Sequence, residues 1–194
     1  DKMSNKNEST KKIFDRAFKC YQKGELVTAE KLFKEVLKLI PNHFSSTFLL
    51  GTLAAQTKKY DVAKKLLRKA IEINPNYAEV HNNLGTVLKV MGKIEEAIGV
   101  YKTAIEISPD YPHAYSNLGL AYAELGSFEE AQQAFQRALE LNPSVAEIHN
   151  RYGNILYRFT ELEEAIQAYQ CAIRINPKHS QSYSDMGVSF AGLG

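Results

Sequence analysis

Several features that constrain other proteins are scarce or missing in this sequence. There are only two cysteines, Cys20 and Cys171, far apart and without C-x-x-C spacing, so we expect neither a disulfide framework nor a zinc site. The formal net charge of +2 creates no large field, which argues against nucleic acid or an anionic membrane surface as a partner. No apolar run approaches the roughly 20 residues that a membrane-spanning helix needs.

The first residues, DKMSNKNESTKK, are polar and contain no apolar stretch of the kind found in a signal peptide. Asp1 and Lys2 precede Met3. We therefore expect residues 1–9 to be the remnant of a cleaved tag followed by a flexible N-terminus, with Met3 as the native start. A chain that is made without a secretory signal and has few cysteines is expected to be cytoplasmic.

A 34-residue period organises the rest of the chain. Such self-similarity is the signature of repeat architectures. Five of the six prolines recur at this spacing: Pro41, Pro75, Pro109, Pro143 and Pro177. With this proline at position 32, the repeats run 10–43, 44–77, 78–111, 112–145 and 146–179, followed by a partial repeat at 180–194.

Small and large residues recur in phase with the prolines. Position 8 is glycine from the second repeat onward: Gly51, Gly85, Gly119, Gly153 and Gly187. Position 20 is alanine in every full repeat: Ala29, Ala63, Ala97, Ala131 and Ala165. Position 24 is large: Phe33, Leu67, Tyr101, Phe135 and Tyr169. This spacing predicts two antiparallel helices that approach closely at the small residues, with residue 24 filling the space between them.

The predicted helices also carry signals at their ends. Proline at position 32 ends the second helix of each repeat, because the residue before a proline avoids helical backbone. The pairs Ser127…Glu130 and Thr160…Glu163 predict capping boxes at the start of two second helices. Glycine relieves the turn between the two helices in three repeats, at Gly24, Gly92 and Gly126.

The combined pattern resembles the tetratricopeptide repeat, a helix–turn–helix unit, over residues 10–194. The resemblance implies an all-α fold, a right-handed superhelical solenoid of antiparallel helix pairs in which each repeat is buried only against its neighbours. It also implies that the first helix of each pair lines a concave groove. The expected function is that of a non-catalytic scaffold that binds a protein or an extended peptide in this groove.

The first helices are expected to present positions 2, 5, 6, 9, 12 and 13 to the groove. Repeats one and two contribute an apolar stretch there: Phe14, Phe18, Tyr21, Phe48 and Leu49. Repeats three to five contribute a polar stretch: Asn82, Asn83, Asn117, Asn150, Arg151, Asn154, Tyr157 and Arg158. We predict that the asparagines contact peptide backbone and that the two arginines recruit acidic side chains.

The asparagines are the more specific half of this prediction. A side-chain amide both donates and accepts, so a row of them can pair with an extended peptide whatever its side chains. The row is similar to the asparagine ladder in the repeat arm of O-GlcNAc transferases, although only Asn83 and Asn117 occupy the ladder position, and Arg151 and Asp185 interrupt it. Two other interpretations stay open: inherited positions that are merely solvated, and hydrogen bonding between helices.

No residue pattern indicates catalysis or metal binding. The five histidines form no H-x-x-x-H pair and none adjoins a cysteine. His81 and His149, at position 4, are predicted to be half-buried packing groups. Paired glutamates such as Glu95-Glu96 fall in the first turn of second helices, where they favour the helix dipole. We expect no enzymatic activity in this segment, no cofactor and no metal.

The last residues, GVSFAGLG, carry no charge. They complete only the first helix of repeat six. We expect that the chain is cut within a longer protein, the alternative being a lone C-terminal solvating helix. Two further functions follow: a substrate-recognition arm of a larger glycosyltransferase continuing past Gly194, and end-to-end self-association through residues 180–194.

Overall fold

The computed structural model describes residues 2–193, with side chains from Asn7 onward. Within that range every regular element is an α-helix. The helices are α1 (Lys2–Gln22), α2 (Leu26–Leu39), α3 (Phe44–Gln56), α4 (Tyr60–Ile73), α5 (Ala78–Val90), α6 (Ile94–Ile107), α7 (Pro112–Glu124), α8 (Phe128–Leu141), α9 (Ala146–Arg158), α10 (Leu162–Ile175) and α11 (Ser180–Gly192). The predicted all-α fold of helix pairs is confirmed. Odd-numbered helices are the first helices of their repeats and even-numbered ones the second.

The N-terminus is helical from Lys2 onward. Residues 2–9 lie in the first turns of helix α1, and their assignment to a tag remnant and a flexible segment stays a prediction. The Glu8 carboxylate pairs with the Lys12 ammonium at 2.9 Å across one helical turn, a spacing that supports helix. The expectations on Asp1 and Gly194 lie outside the described residues.

The helices divide after Met91 into two compact units. In the N-terminal unit, α1 to α5 pack in order, each against the next, and α3 also touches α5. In the C-terminal unit, α6 to α11 pack in order, and α7 touches α9 while α9 touches α11. Within each unit, therefore, first helices lie side by side and form one face.

The close approach of the two helices in a pair occurs at position 8. A Cβ atom placed on Gly119 would lie 2.7 Å from Phe135 Cδ2, and one on Gly153 would lie 2.5 Å from Tyr169 Cε1. Phe135 is completely buried, so its ring has no space into which to move. At Gly187, in contrast, no described atom lies within 4 Å of such a Cβ. A small residue is thus required at position 8 where a second helix packs, as predicted; repeat one has the buried Ala17 there.

The turn between the paired helices has left-handed backbone at position 15 of each repeat. Three of these residues are glycine, with φ near 77°. The other two are Lys58 (φ 60°) and Thr160 (φ 67°), of which the β-branched threonine is the more strained. Non-glycine residues in this conformation were not anticipated from the sequence.

Both predicted capping boxes are wrong. The Ser127 side chain makes no cap hydrogen bond with α8. Helix α10 is preceded by Glu161 rather than Thr160, because Thr160 is the left-handed turn residue. Its hydroxyl instead donates to the Phe159 carbonyl at 2.6 Å.

Histidines hold the junctions between repeats. His81 Nε2 lies 2.8 Å from the Pro75 carbonyl oxygen, and His149 Nε2 lies 2.8 Å from that of Pro143. Since a carbonyl only accepts, Nε2 carries the proton in both residues. His81 is buried and His149 half-buried, so these side chains do more than pack: each fastens a first helix to the preceding proline turn.

Two other histidines cap first helices. His43 Nδ1 accepts from the Ser46 backbone N–H at 3.2 Å. His179 Nδ1 accepts from the Ser182 backbone N–H at 3.3 Å. Both histidines are at position 34, and both serines at position 3 of the following repeat. An Nδ1 atom that accepts must be unprotonated, so these caps require neutral imidazole.

In the described part of the chain, no helix combines the length and apolar character needed to cross a membrane.

We expect Gly119→Ala and Gly187→Ala to have different effects on the free energy of unfolding. The first should lower the free energy of unfolding by about 1–2 kcal/mol, because the added methyl overlaps Phe135 and outweighs the better helix propensity of alanine. The second should be neutral or stabilising by up to about 1 kcal/mol, because its Cβ meets open space. Urea unfolding followed by circular dichroism measures both, and equal losses would contradict the packing explanation.

A pH dependence follows from the His43 cap. Burial lowers the pKa of His43 below its ordinary value of 6.5, so the unfolded chain takes up a proton that the folded chain resists. The resulting stability is complete above pH 6.5 and is lost as the pH falls from there towards the folded pKa. Asparagine also caps helices but does not titrate. We therefore expect the urea midpoint of His43→Asn to fall less than that of wild type on acidification; parallel curves would rule out this contribution.

Candidate functional site

Aromatic side chains converge on the first-helix face of the N-terminal unit. They line an open groove with a volume of about 520 Å³. Its aromatic residues are Phe14, Phe18 and Tyr21 of α1, Phe44 and Phe48 of α3, and Tyr77, which immediately precedes α5. Ser45, Leu49, Thr52 and Glu79 complete the lining. We call this surface the aromatic groove. It brings together all five residues of the predicted apolar stretch.

Helical spacing builds the walls of the aromatic groove. Phe14 and Phe18 are four residues apart on α1, and their rings stack with centroids 6.3 Å apart. Phe44 and Phe48 repeat this arrangement on α3 at 6.1 Å. Tyr77 places its ring edge-on against Phe44, at 5.2 Å, and against Phe48, at 5.6 Å. The rings support one another, which gives a groove whose walls are formed before any ligand arrives.

Part of this aromatic surface is open to solvent. Phe18 is 38% exposed and Tyr77 is 39% exposed. An exposed cluster of large apolar side chains is typical of an interaction site, whereas a single exposed residue needs no explanation. Two of the rings, Phe44 and Tyr77, were not predicted, because they occupy positions 1 and 34 of the repeat and lie outside the expected stripe. The i, i+4 spacing of Phe44 and Phe48 was the available signal.

A second pocket adjoins the aromatic groove. It has a volume of about 320 Å³, and its lining residues come from α3, α4 and α5: Thr52, Ala55, Gln56, Tyr60, Asn83, Thr86, Val87 and Val90. We call it the valine pocket. Thr52 lines both cavities, and the Asn83 side-chain amide donates to Thr52 Oγ1 at 3.2 Å. The predicted ladder residue Asn83 therefore sits where the two cavities meet.

Glu79 supplies the charge of the aromatic groove. Among the described residues that line it, Glu79 alone has a charged side chain. The Tyr77 hydroxyl donates to Glu79 Oε2 at 3.3 Å. Burial, together with the charge of Glu79, raises the pKa of Tyr77, so the phenol stays protonated and continues to donate at neutral pH.

The structure corrects the expected exposure of position 5. Asn82 is only 6% exposed and Asn150 only 3%. Phe48, at the same position, is 8% exposed. Neighbouring first helices lie side by side, so position 5 faces the adjacent first helix rather than solvent. Asn150 accordingly donates to Asp185 Oδ2 at 3.2 Å, from α9 to α11.

The polar residues of the C-terminal unit are engaged with one another. Arg151 donates through Nε to Glu147 Oε1 at 2.8 Å and through Nη1 to Asn117 Oδ1 at 3.1 Å. His179 Nε2 lies 3.3 Å from Glu147 Oε2. Burial tends to raise the pKa of Glu147, but the hydrogen bonds from Arg151 and His179 prevail and lower it. A hydrogen bond between α7 and α9 thus engages Asn117 and Arg151, and their contact with a ligand stays a prediction.

Asn154 has a structural partner as well. Its side-chain oxygen accepts from the hydroxyl of the buried Tyr169 at 2.8 Å. Burial, and then the charge of Asp185, raise the pKa of Tyr169 to about 12. Tyr157 is 38% exposed, and Arg158 is also exposed. Asn154 is exposed as well.

Within the described residues, no group of three histidine, cysteine, aspartate or glutamate side chains could hold a metal ion.

Comparisons with known proteins agree with the repeat pattern. Models described as tetratricopeptide repeat match residues 45–77, 66–99 and 116–180, and one described as TPR repeat matches residues 88–126. Together these matches extend without a gap from residue 45 to residue 180. No curated protein matches the chain in sequence.

Solved structures share the fold. TTC0263, a thermophilic TPR protein of Thermus thermophilus, is 21% identical with a TM-score of 0.79, covering 94% of this chain and 99% of that one. MamA from Desulfovibrio magneticus RS-1 is 22% identical with a TM-score of 0.76, covering 88% and 96%. YrrB, described as a TPR protein with an unusual peptide-binding site, is 22% identical with a TM-score of 0.68, covering 89% of each chain.

At these identities the structural likeness speaks for the fold alone. Four observations agree: the 34-residue period, the close contacts at the position-8 glycines, the helix pairs and the four family matches. This chain belongs to the tetratricopeptide repeat family.

Proposed function

We propose that the chain is a non-catalytic protein- or peptide-binding scaffold and that the aromatic groove is its principal binding surface. Repeats of this family and the fold of its neighbours support an interaction scaffold. The observation that carries the assignment to this surface is the preformed cluster of rings with Phe18 and Tyr77 open to solvent. Apolar grooves on helical faces bind partner segments through a few buried anchor side chains.

The ligand we propose is a segment with two apolar anchors. One anchor fills the aromatic groove and the other fills the valine pocket, which begins on the far side of Thr52. Asn83 lies between the two cavities and donates one side-chain N–H to Thr52. Its side-chain oxygen and second N–H can pair with the backbone of the segment. This assigns backbone recognition to Asn83.

The polar residues of the C-terminal unit have a smaller part in this proposal. Asn117, Arg151 and Asn154 already have partners within the protein. Tyr157 and Arg158 are exposed there, and we propose that they contact acidic or aromatic side chains of a partner. A reducing compartment such as the cytoplasm fits the two free thiols of the chain.

Selection from a phage-displayed library of random peptides tests this function. We expect enriched peptides to carry aromatic or aliphatic anchors, and we expect Phe18→Asp to weaken their binding at least about tenfold, as for other buried anchor contacts. Val27→Asp is the matched control, because Val27 is an 85% exposed apolar residue of α2 outside the groove. Peptides that bind Phe18→Asp as tightly as wild type, in fluorescence anisotropy, would refute the assignment.

A second candidate function is self-association through α11. The apolar residues Tyr183, Val188, Phe190 and Leu193, on α11 and immediately after it, are each about half exposed, between 48% and 52%. The space over Gly187, which a large residue of a second helix fills in earlier repeats, is open among the described residues. A helix from a second copy of the chain could cover this face.

Sedimentation velocity at increasing protein concentration tests self-association. We expect the average mass of wild type to rise with concentration and that of Phe190→Glu to stay constant. Val62→Glu serves as the control, because Val62 is a 50% exposed apolar residue of α4 away from α11. A wild-type monomer at every concentration would exclude this function and leave the aromatic groove unaffected.

A further inference from the structure

We infer that the aromatic groove selects segments in which a basic residue stands beside the apolar anchor. This inference rests on the proposed function and adds the charge of the ligand to it. Its basis is the combination of ring faces and a single carboxylate, Glu79, in one cavity. The sequence predicted that Arg151 and Arg158 recruit acidic side chains, but the mixed charges of the expected groove implied no strongly charged ligand.

Glu79 determines the sign of the charge that a ligand meets in the aromatic groove. Helix α3, which forms the floor between α1 and α5, has no charged residue along its whole length, FSSTFLLGTLAAQ. Beside the rings on α1 stand Lys11 and Asp15. Their charges are opposite and four residues apart on the same helix face, so their effects on a ligand largely offset each other. No such counter-charge lines the cavity next to Glu79 among the described residues.

The rings and the carboxylate favour the same charge on a ligand, which is positive. The face of an aromatic ring carries partial negative charge, so a lysine or arginine placed over it is attracted and an aspartate or glutamate is not. The protein uses this contact within its own C-terminal unit, where Lys102 Nζ lies 5.8 Å from the centre of the Tyr122 ring. A basic side chain in the aromatic groove would gain from Glu79 and from the rings together.

Tyr77 fixes the distance between the anchor and the charge. Its ring packs against Phe44 and Phe48, and its hydroxyl holds the Glu79 carboxylate at 3.3 Å. A carboxylate accepts several hydrogen bonds, so Glu79 keeps capacity for a ligand after bonding Tyr77. An anchor that touches the Tyr77 ring therefore lies about one side-chain length from the charge. The basic residue is expected within two positions of the anchor.

The experiment is peptide selection from a phage-displayed random library against three targets: wild type, Glu79→Gln and Glu79→Lys. We expect lysine or arginine next to the anchor with wild type, no charge preference with Glu79→Gln, and aspartate or glutamate with Glu79→Lys. Replacing the basic residue of a wild-type peptide by glutamine should weaken its binding to wild type about three- to tenfold, and its binding to Glu79→Gln hardly at all. Added salt should weaken the complex of the basic peptide with wild type. It should not weaken the complex of the same peptide with Glu79→Gln.

Glu129→Gln is the control for net charge, because Glu129 lies in the first turn of α8 in the other unit; we expect it to select the same peptides as wild type. Apolar anchors without a neighbouring basic residue, or equal weakening on Glu79→Gln, would overturn the inference. If those peptides still depend on Phe18, the proposed function stands. Peptides that depend on neither Phe18 nor Glu79 would overturn both.

Discussion

The contact between the glycine at position 8 of a first helix and a large residue on its partner helix, seen at Gly51, Gly119 and Gly153, is the constraint from which the other features of this structure follow. At Gly119 and Gly153 the ring of the second helix occupies the volume that a Cβ would need. This contact brings the paired helices together, and the alanines at position 20, such as Ala131 and Ala165, are completely buried. Because each pair is thin, its neighbours can stack upon it and bury its remaining apolar surface.

Stacking of this kind decides which faces remain for binding. Within each unit the first helices lie side by side, which buries position 5 and leaves a shallow face above it. In the N-terminal unit that face carries aromatic rings and two cavities. In the C-terminal unit it carries hydrogen-bonded polar residues, among them Arg151, which bonds both Glu147 and Asn117.

The recurring prolines made the helix pairs predictable, because each pair obeys local rules of spacing, size and chain termination. The burial of Asn82 and Asn150 depends instead on contacts between first helices of different repeats. The residue pattern within one repeat does not indicate these contacts. A helical wheel of one helix cannot distinguish solvent from an adjacent helix, so these asparagines looked like ligand contacts. Tyr77 was missed because it lies at position 34, outside the expected stripe, and reaches the groove only where α5 packs beside α3. Glu79, at position 2, belongs to the expected stripe.

We propose that the ligand binds to the N-terminal unit and not to the asparagine-rich face of the C-terminal unit. Titration of the ¹⁵N-labelled chain with a selected synthetic peptide, followed through amide chemical shifts, distinguishes the two faces in a single experiment. We expect shifts that centre on Phe18, Phe48, Tyr77 and Glu79. Shifts centred on the face that carries Asn117, with the N-terminal unit unchanged, would contradict this proposal.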